Sequence, residues 1–183
     1  MRITVAVTGA SGTVLAKRLI ENLKGHEVSL IVTESARQVA QYEKVDLKAM
    51  EKRAANVYDG RDMLSPLASS SNRVDAMVVV PCSVKSLSAI ANGYADSLVT
   101  RAAENVLKMG WKLIVVPRDT PLSLAAIENM GKLKTAGAII LPPIVGYYSE
   151  PKTVDDVTDF IVGKILDCLA IEHRLYRKWR EDG

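Results

Sequence analysis

Residues 3–12 read Ile3-Thr4-Val5-Ala6-Val7-Thr8-Gly9-Ala10-Ser11-Gly12, an apolar run that ends in a glycine-bracketed turn. Directly after it, Leu15, Ala16, Leu19, Ile20 and Leu23 recur at helical spacing, and Gly25 follows as a stop signal. A buried strand that turns through glycines straight into a helix is the opening of a βαβ unit. The rest of the chain repeats this grammar. Val28 to Val32 predicts the second strand, Ser35 to Glu43 a helix, and Leu47 to Ala54 a second short one. Gly60 to Arg73, rich in serine and holding Pro66, predicts a long loop of the kind that is functional or mobile.

Ala76 to Val80 predicts a third strand stopped by Pro81. Helical patterns follow at Leu87 to Ala91 and Leu98 to Leu107, separated by Asn92-Gly93. Leu113 to Val116 predicts strand four, stopped by Pro117; Leu122 to Leu133 a helix; Ala138 to Leu141 strand five, ended by Pro142-Pro143. Thr153 with Asp156 three residues on forms a capping box for a last helix to about Leu169. Strands alternating with helices demand parallel pairing with right-handed crossovers. The expectation is therefore α/β: a three-layer, doubly wound parallel sheet of five or six strands, flavodoxin-like or Rossmann-like, with the five runs ordered 2-1-3-4-5.

At 183 residues, against roughly 150 per domain, the chain predicts a single domain over 1–183. Its 48% hydrophobic and 25% charged residues are those of a globular protein and exclude disorder. A net charge of +3 without a basic tract predicts no nucleic-acid partner. Cys82 and Cys168 have no C-x-x-C spacing and no nearby histidine, so neither a disulfide framework nor a metal site is expected. The stretch 136–146 is far short of the roughly 20 residues of a membrane span. Residues 8–12 interrupt the first apolar run, and Lys17-Arg18 follow it, unlike a signal peptide. A cytoplasmic protein with no membrane partner is expected.

In doubly wound sheets ligands bind outside the carboxyl ends of the strands. Thr8-Gly9-Ala10-Ser11-Gly12 lacks the G-x-G-x-x-G of a dinucleotide site and the Gly-Lys-Ser/Thr of a Walker loop. It suits a mononucleotide phosphate or a ring edge, or it is a tight turn and nothing more. Pro81-Cys82-Ser83-Val84-Lys85-Ser86 offers two hydroxyls, a lysine and a helix start as a second anion cradle. The alternative is a Ser-capped helix with a solvated Lys85. Arg118 and Asp119, after strand four, face the same crevice. Cys82 has no base to activate it and reads as a core thiol. His26 and His173 are not placed for a Ser-His-Asp triad.

Three charged positions stand out. Lys164 falls in the stripe of Val157, Phe160, Ile161 and Cys168, where an ammonium needs a partner: a phosphate satisfies it, or it snorkels from the stripe edge. Arg101, Glu104, Asn105 and Lys108 share one helical face, either solvated or closing on another subunit and a shared anion. Glu43, at a helix end, is the carboxylate placed to handle a proton near strand two, and Tyr147-Tyr148 offer hydroxyl donors.

These segments, with Leu87-Ser88, Arg101-Ala102-Ala103, Glu128-Asn129-Met130, 137–142, Gly146-Tyr147-Tyr148, Val154-Asp155-Asp156 and Trp179, resemble the UbiX family of flavin prenyltransferases almost end to end. The resemblance implies metal-independent transfer of a dimethylallyl group from dimethylallyl phosphate to N5 and C6 of reduced FMN. The prenylated product serves a UbiD-type decarboxylase. It also implies a homo-oligomer, commonly a dodecamer, with sites at subunit junctions. Carried over by residue, FMN meets Gly9, Ala10, Ser11, Thr33, Ser83, Val84, Lys85, Ser86 and Arg118. The prenyl phosphate meets Arg101, Lys108, Arg118, Tyr148 and Lys164, and Glu43, Ser11 and Asp119 handle protons. Two positions depart from the family pattern: Asp119 stands where relatives carry Glu, and Lys164 where others carry Arg, which loses the bidentate fork. The rival readings are a flavin-dependent oxidative decarboxylase of the same wider group, which needs a histidine after the first strands, and a non-catalytic FMN-binding module, which needs no cation cluster.

Overall fold

The computed structural model describes residues 1–180. Its strands are β1 (Arg2–Val7), β2 (Glu27–Val32), β3 (Asn56–Asp59), β4 (Ala76–Cys82), β5 (Lys112–Pro117) and β6 (Ile139–Ile140). All pair in parallel, in the order β3-β2-β1-β4-β5-β6. The helices are α1 (Thr13–Asn22), α2 (Glu34–Tyr42), α3 (Leu47–Glu51), α4 (Val84–Ala91), α5 (Leu98–Lys108), α6 (Leu124–Thr135) and α7 (Val154–Leu169), with 3-10 turns at Pro66–Ala68 and Tyr147–Ser149.

All five expected strands are present and keep the expected order relative to one another. The strand that periodicity did not reveal is β3. Asn56-Val57-Tyr58-Asp59 is polar at both ends and largely exposed, because it is an edge strand with one neighbour, in register from Ser29↔Asn56 to Val32↔Asp59. Only Tyr58 packs against a core, so the strand carries no apolar run to read. Boundaries also move: α3 ends at Glu51 and β6 spans only Ile139–Ile140. β4 continues through Pro81 to Cys82, because a register shift against β5 between Val79 and Cys82 interrupts the ladder where the proline lacks its N–H. The 60–73 loop contains the 3-10 turn.

β4 is buried at every position and forms the floor of both cores. Side chains alternate across the sheet: Val5 and Val7 pack with α1 and α7, through Leu15, Leu19, Ile161 and Leu166. Ala6 and Val79 pack with α4, α5 and α6, through Leu87, Leu98, Val106 and Leu133. The capping box of α7 forms as its sequence predicts: Thr153 Oγ1 accepts from Asp156 N (3.1 Å), and the Asp156 carboxylate accepts from Thr153 N (2.8 Å). Because the chain winds one way from β1 to β3 and the other way from β4 to β6, the crevice opens above the carboxyl ends of β1 and β4. Among the described residues no helix is long and apolar enough to cross a membrane.

Candidate functional site

The ends of β1 and β4 are stapled together. Thr8 Oγ1 donates to Pro81 O (2.8 Å) and accepts from Ser83 N (2.8 Å). This fixes Ser83, which caps α4 by accepting from Ser86 N (3.2 Å). On the other side Thr33 caps α2, accepting from Ala36 N (3.2 Å). Ser97 caps α5, whose Leu98 N–H donates to Gly60 O (2.8 Å). These three capped helix starts converge on a cavity of about 340 Å3 lined by Thr33, Ser35, Gly60, Arg61, Ser83, Lys85, Ser86 and Ser97. Helix N-termini present positive dipole ends and backbone donors, and serines and threonines at their caps add hydroxyls. The chemistry of this donor set is that of a phosphate site. Four of the expected contacts (Thr33, Ser83, Lys85, Ser86) lie in it; Val84 is the first helical residue of α4. Lys85 is well exposed, its ammonium 3.9 Å from Asp96.

Ser35, Gly60, Arg61 and Ser97 escaped sequence reasoning. Gly60 follows β3, so missing that strand also hid the residue at its carboxyl end. The close fit there was not readable either: a Cβ on Gly60 would meet Thr33 Cα at 3.2 Å. Gly9 is held tighter still, since its Cβ would fall 2.5 Å from Ser35 Cβ. Ala10 is buried beside it.

One expectation for the first loop is corrected. The start of α1 is not a free anion cradle, because Glu43 occupies it. The Glu43 carboxylate accepts from Gly12 N (2.8 Å), Thr13 N (2.9 Å) and Thr13 Oγ1 (2.6 Å). Partial burial pushes the Glu43 pKa up. The hydrogen bonds from Ser11, Thr13 and Gly12 outweigh it and hold the group below the ordinary carboxylate range. Ser11 itself is exposed.

At the end of β5, Arg118 N donates to Cys82 O (3.0 Å), and its side-chain Nε is buried without a hydrogen-bond partner among the described residues. A buried guanidinium donor left unpaired is costly, and an anionic or carbonyl ligand atom relieves it. Asp119 is exposed, and its Oδ1 accepts from Thr120 N (3.0 Å). Cys82 is fully buried, and burial pushes its thiol up to about 12, so it is no nucleophile at neutral pH.

The remaining cations are not assembled with this cavity. The face carrying Arg101 and Asn105 is covered in part: Arg101 Nε donates to Ala68 O (3.1 Å) and Asn105 Nδ2 to Leu67 O (3.2 Å), clipping the 3-10 turn to α5. Arg101 also pairs with Glu104 at 2.7 Å. Lys108 is exposed, two turns further toward the amino edge of the sheet, about 10 Å along the helix at ~1.5 Å per residue. Lys164 lies in the opposite layer, on α7, and is not the unpartnered stripe lysine that its spacing predicts. It is part-exposed, 3.4 Å from Asp167 Oδ2, with the Tyr176 and Phe160 ring centroids at 4.9 and 5.9 Å. Tyr148 packs edge-on against Phe160 and Trp179, 5.9 and 5.2 Å between centroids. A larger cavity, about 720 Å3, lies beside it among Lys152, Asp156, His173 and Arg174; it has basic residues but no converging capped helix starts. His26 precedes β2 at the amino edge, against the N-terminal amine, and His173 is on the C-terminal segment, so neither reaches the crevice above the carboxyl ends.

A family model described as Flavoprotein matches residues 1–166. The chain is 48% identical over 181 residues to the flavin prenyltransferase UbiX of Methanocaldococcus jannaschii, covering 98% of each. It superposes on the dodecameric FMN-dependent UbiX-like decarboxylase of Escherichia coli O157:H7 with a TM-score of 0.95 at 37% identity, covering 98% of this chain and 100% of that one. The same TM-score, 0.95, at 35% identity and 98% and 97% coverage, relates it to AnUbiX (PadA1) in complex with FMN and dimethylallyl pyrophosphate.

Proposed function

We propose, from the premise that this chain belongs to the Flavoprotein family and within it to the UbiX flavin prenyltransferases, that it transfers a dimethylallyl group from dimethylallyl phosphate to reduced FMN. The observation that carries the reading is the convergence of three capped helix starts on one hydroxyl-lined cavity, beside a buried Arg118 Nε that lacks an acceptor. These residues fit the flavin phosphate and ring edge. Thr33, Ser83, Val84, Lys85 and Ser86 hold the phosphate end, while Gly9, Ala10, Ser11 and Arg118 border the ring. Bound there, reduced FMN supplies the electron-rich nitrogen and carbon, N5 and C6, that receive the prenyl group.

The residues of the chain do the rest. When the allylic C–O bond breaks, its electron pair leaves with the phosphate, and Arg101, Lys108, Arg118, Tyr148 and Lys164 stabilise that developing charge. Glu43, held ionised by its hydrogen bonds, is the base that takes the proton leaving the ring, and the Ser11 hydroxyl beside it assists. Asp119, shorter than a glutamate and exposed, assists from the β5 loop.

A single chain separates Arg101 and Lys108 from Lys164 by the thickness of the sheet, which supports a homo-oligomer, a dodecamer in this reading, whose sites draw on neighbouring subunits. The product goes to a UbiD-type decarboxylase. Two free cysteines support a cytoplasmic location. The test is anaerobic incubation with reduced FMN and dimethylallyl phosphate, followed by mass spectrometry. A flavin heavier by one five-carbon prenyl unit, with equimolar phosphate released, is expected; unmodified flavin overturns the reading.

A further inference from the structure

Asp167 lies one turn beyond Lys164 on α7 and gathers three donors. Lys164 Nζ is 3.4 Å from Oδ2, the Tyr176 hydroxyl donates to Oδ2 at 2.5 Å, and His173 Nε2 is 3.0 Å from Oδ1. The other ring nitrogen settles the direction of the histidine contact. His173 Nδ1 accepts from Leu175 N (3.2 Å), so Nε2 carries the hydrogen and donates. The Tyr176 ring lies beside the Lys164 ammonium, 4.9 Å from Nζ to its centroid. An ammonium has three N–H donors. Asp167 takes one of them, leaving the others for an anion. The Tyr176 and Phe160 rings flank the ammonium and limit how its stem can fold.

A lysine is a point charge on a flexible four-carbon stem, whereas an arginine presents a rigid fork. A lysine that must meet a departing phosphate therefore needs its direction imposed from outside. We infer that Asp167, with Tyr176, is the positioning residue that aims the Lys164 ammonium at the prenyl phosphate. The inference rests on the reading that Lys164 meets that phosphate. Such part-exposed pairs contribute little stability, so the role lies in orientation. His173 docks the C-terminal segment onto the same carboxylate, and the segment sits close on α7, where a Cβ on Gly163 would fall 2.5 Å from the Tyr176 ring and 2.8 Å from the His173 ring.

The experiment measures KM for dimethylallyl phosphate and Kd for FMN on the assembled enzyme. The variants are Lys164→Met, Asp167→Asn, His173→Gln, Lys164→Arg and the double variant Lys164→Arg/Asp167→Asn. Asp167→Asn is expected to raise KM about tenfold while FMN affinity stays within about twofold. In the arginine background the same change should cost about threefold or less, because the fork orients itself. His173→Gln should leave KM unchanged. Tyr176→Phe, which keeps the ring, gives the same background-dependent rise and carries the test if Asp167→Asn does not assemble. Equal losses in both backgrounds, or an equal loss in His173→Gln, overturn the inference, for Asp167 then only docks the tail. An unchanged KM in Asp167→Asn, with Lys164→Met impaired, overturns it while leaving the phosphate reading intact. An unchanged KM in Lys164→Met overturns both.

Discussion

The Glu43 carboxylate closes the first turn of α1 by accepting the Gly12 N–H at 2.8 Å, thirty-one residues away in sequence. An acidic side chain from the end of α2 thus does for α1 what a cap residue normally does locally; Gly12, in the left-handed region at φ 104°, offers no side chain for the purpose. The same contact places the charge next to Ser11.

Glu43→Gln should therefore lose stability as well as turnover. Replacing the carboxylate removes a charged acceptor for several donors, about 1–3 kcal/mol. The folded pKa lies below the unfolded value of about 4.3, so this contribution is fully present above that pH and is lost as pH falls through the folded pKa. Urea melts of both proteins in a pH series check it: the gap between them should be wide at pH 7 and should narrow as pH falls through the folded pKa of Glu43.

Arg118→Met should leave the fold unharmed or slightly firmer, because it removes a buried donor that has no partner among the described residues. FMN affinity should drop at least about tenfold, the loss of one charge-assisted contact. Flavin fluorescence titration beside a thermal melt separates the two effects. A protein that melts earlier and binds FMN normally would mean that Arg118 is structural.

Gly9→Ala should destabilise the protein by about 1–3 kcal/mol, the usual cost of forcing a methyl into a filled space. The new Cβ would collide with Ser35 Cβ at 2.5 Å and push the start of α2 outward. Thr33 caps that helix and lines the cavity, so FMN binding should weaken in parallel. Equilibrium unfolding and FMN titration are the measurements.

Arg101→Ala and Lys164→Met, each slow when expressed alone at low prenyl phosphate, should complement when co-expressed. If a site takes its Arg101 from one subunit and its Lys164 from another, random assembly leaves about a quarter of sites with both native residues. Activity that stays at the level of the single variants would place both cations in one subunit's site or remove them from it.

The sequence by itself determined the layered sheet, the order of its five apolar strands and the loops at its carboxyl edge. It did so because buried parallel strands must be continuously apolar and their crossover helices must be amphipathic, a pattern any window of residues displays. Ser83 could be placed as a helix start, and Thr153 with Asp156 as a capping box, because capping is local chemistry. Tertiary structure alone decided what these residues meet. β3 is an exposed edge strand with no apolar signature, so Gly60 and its close contact with Thr33 were hidden with it. The donors at the start of α1 look free until α2 brings Glu43 back across the sheet edge. Lys164 looks stranded on an apolar stripe until the C-terminal segment folds over α7 and supplies Tyr176. In each case the partner lies too far along the chain for periodicity to report it, and only packing brings the two together.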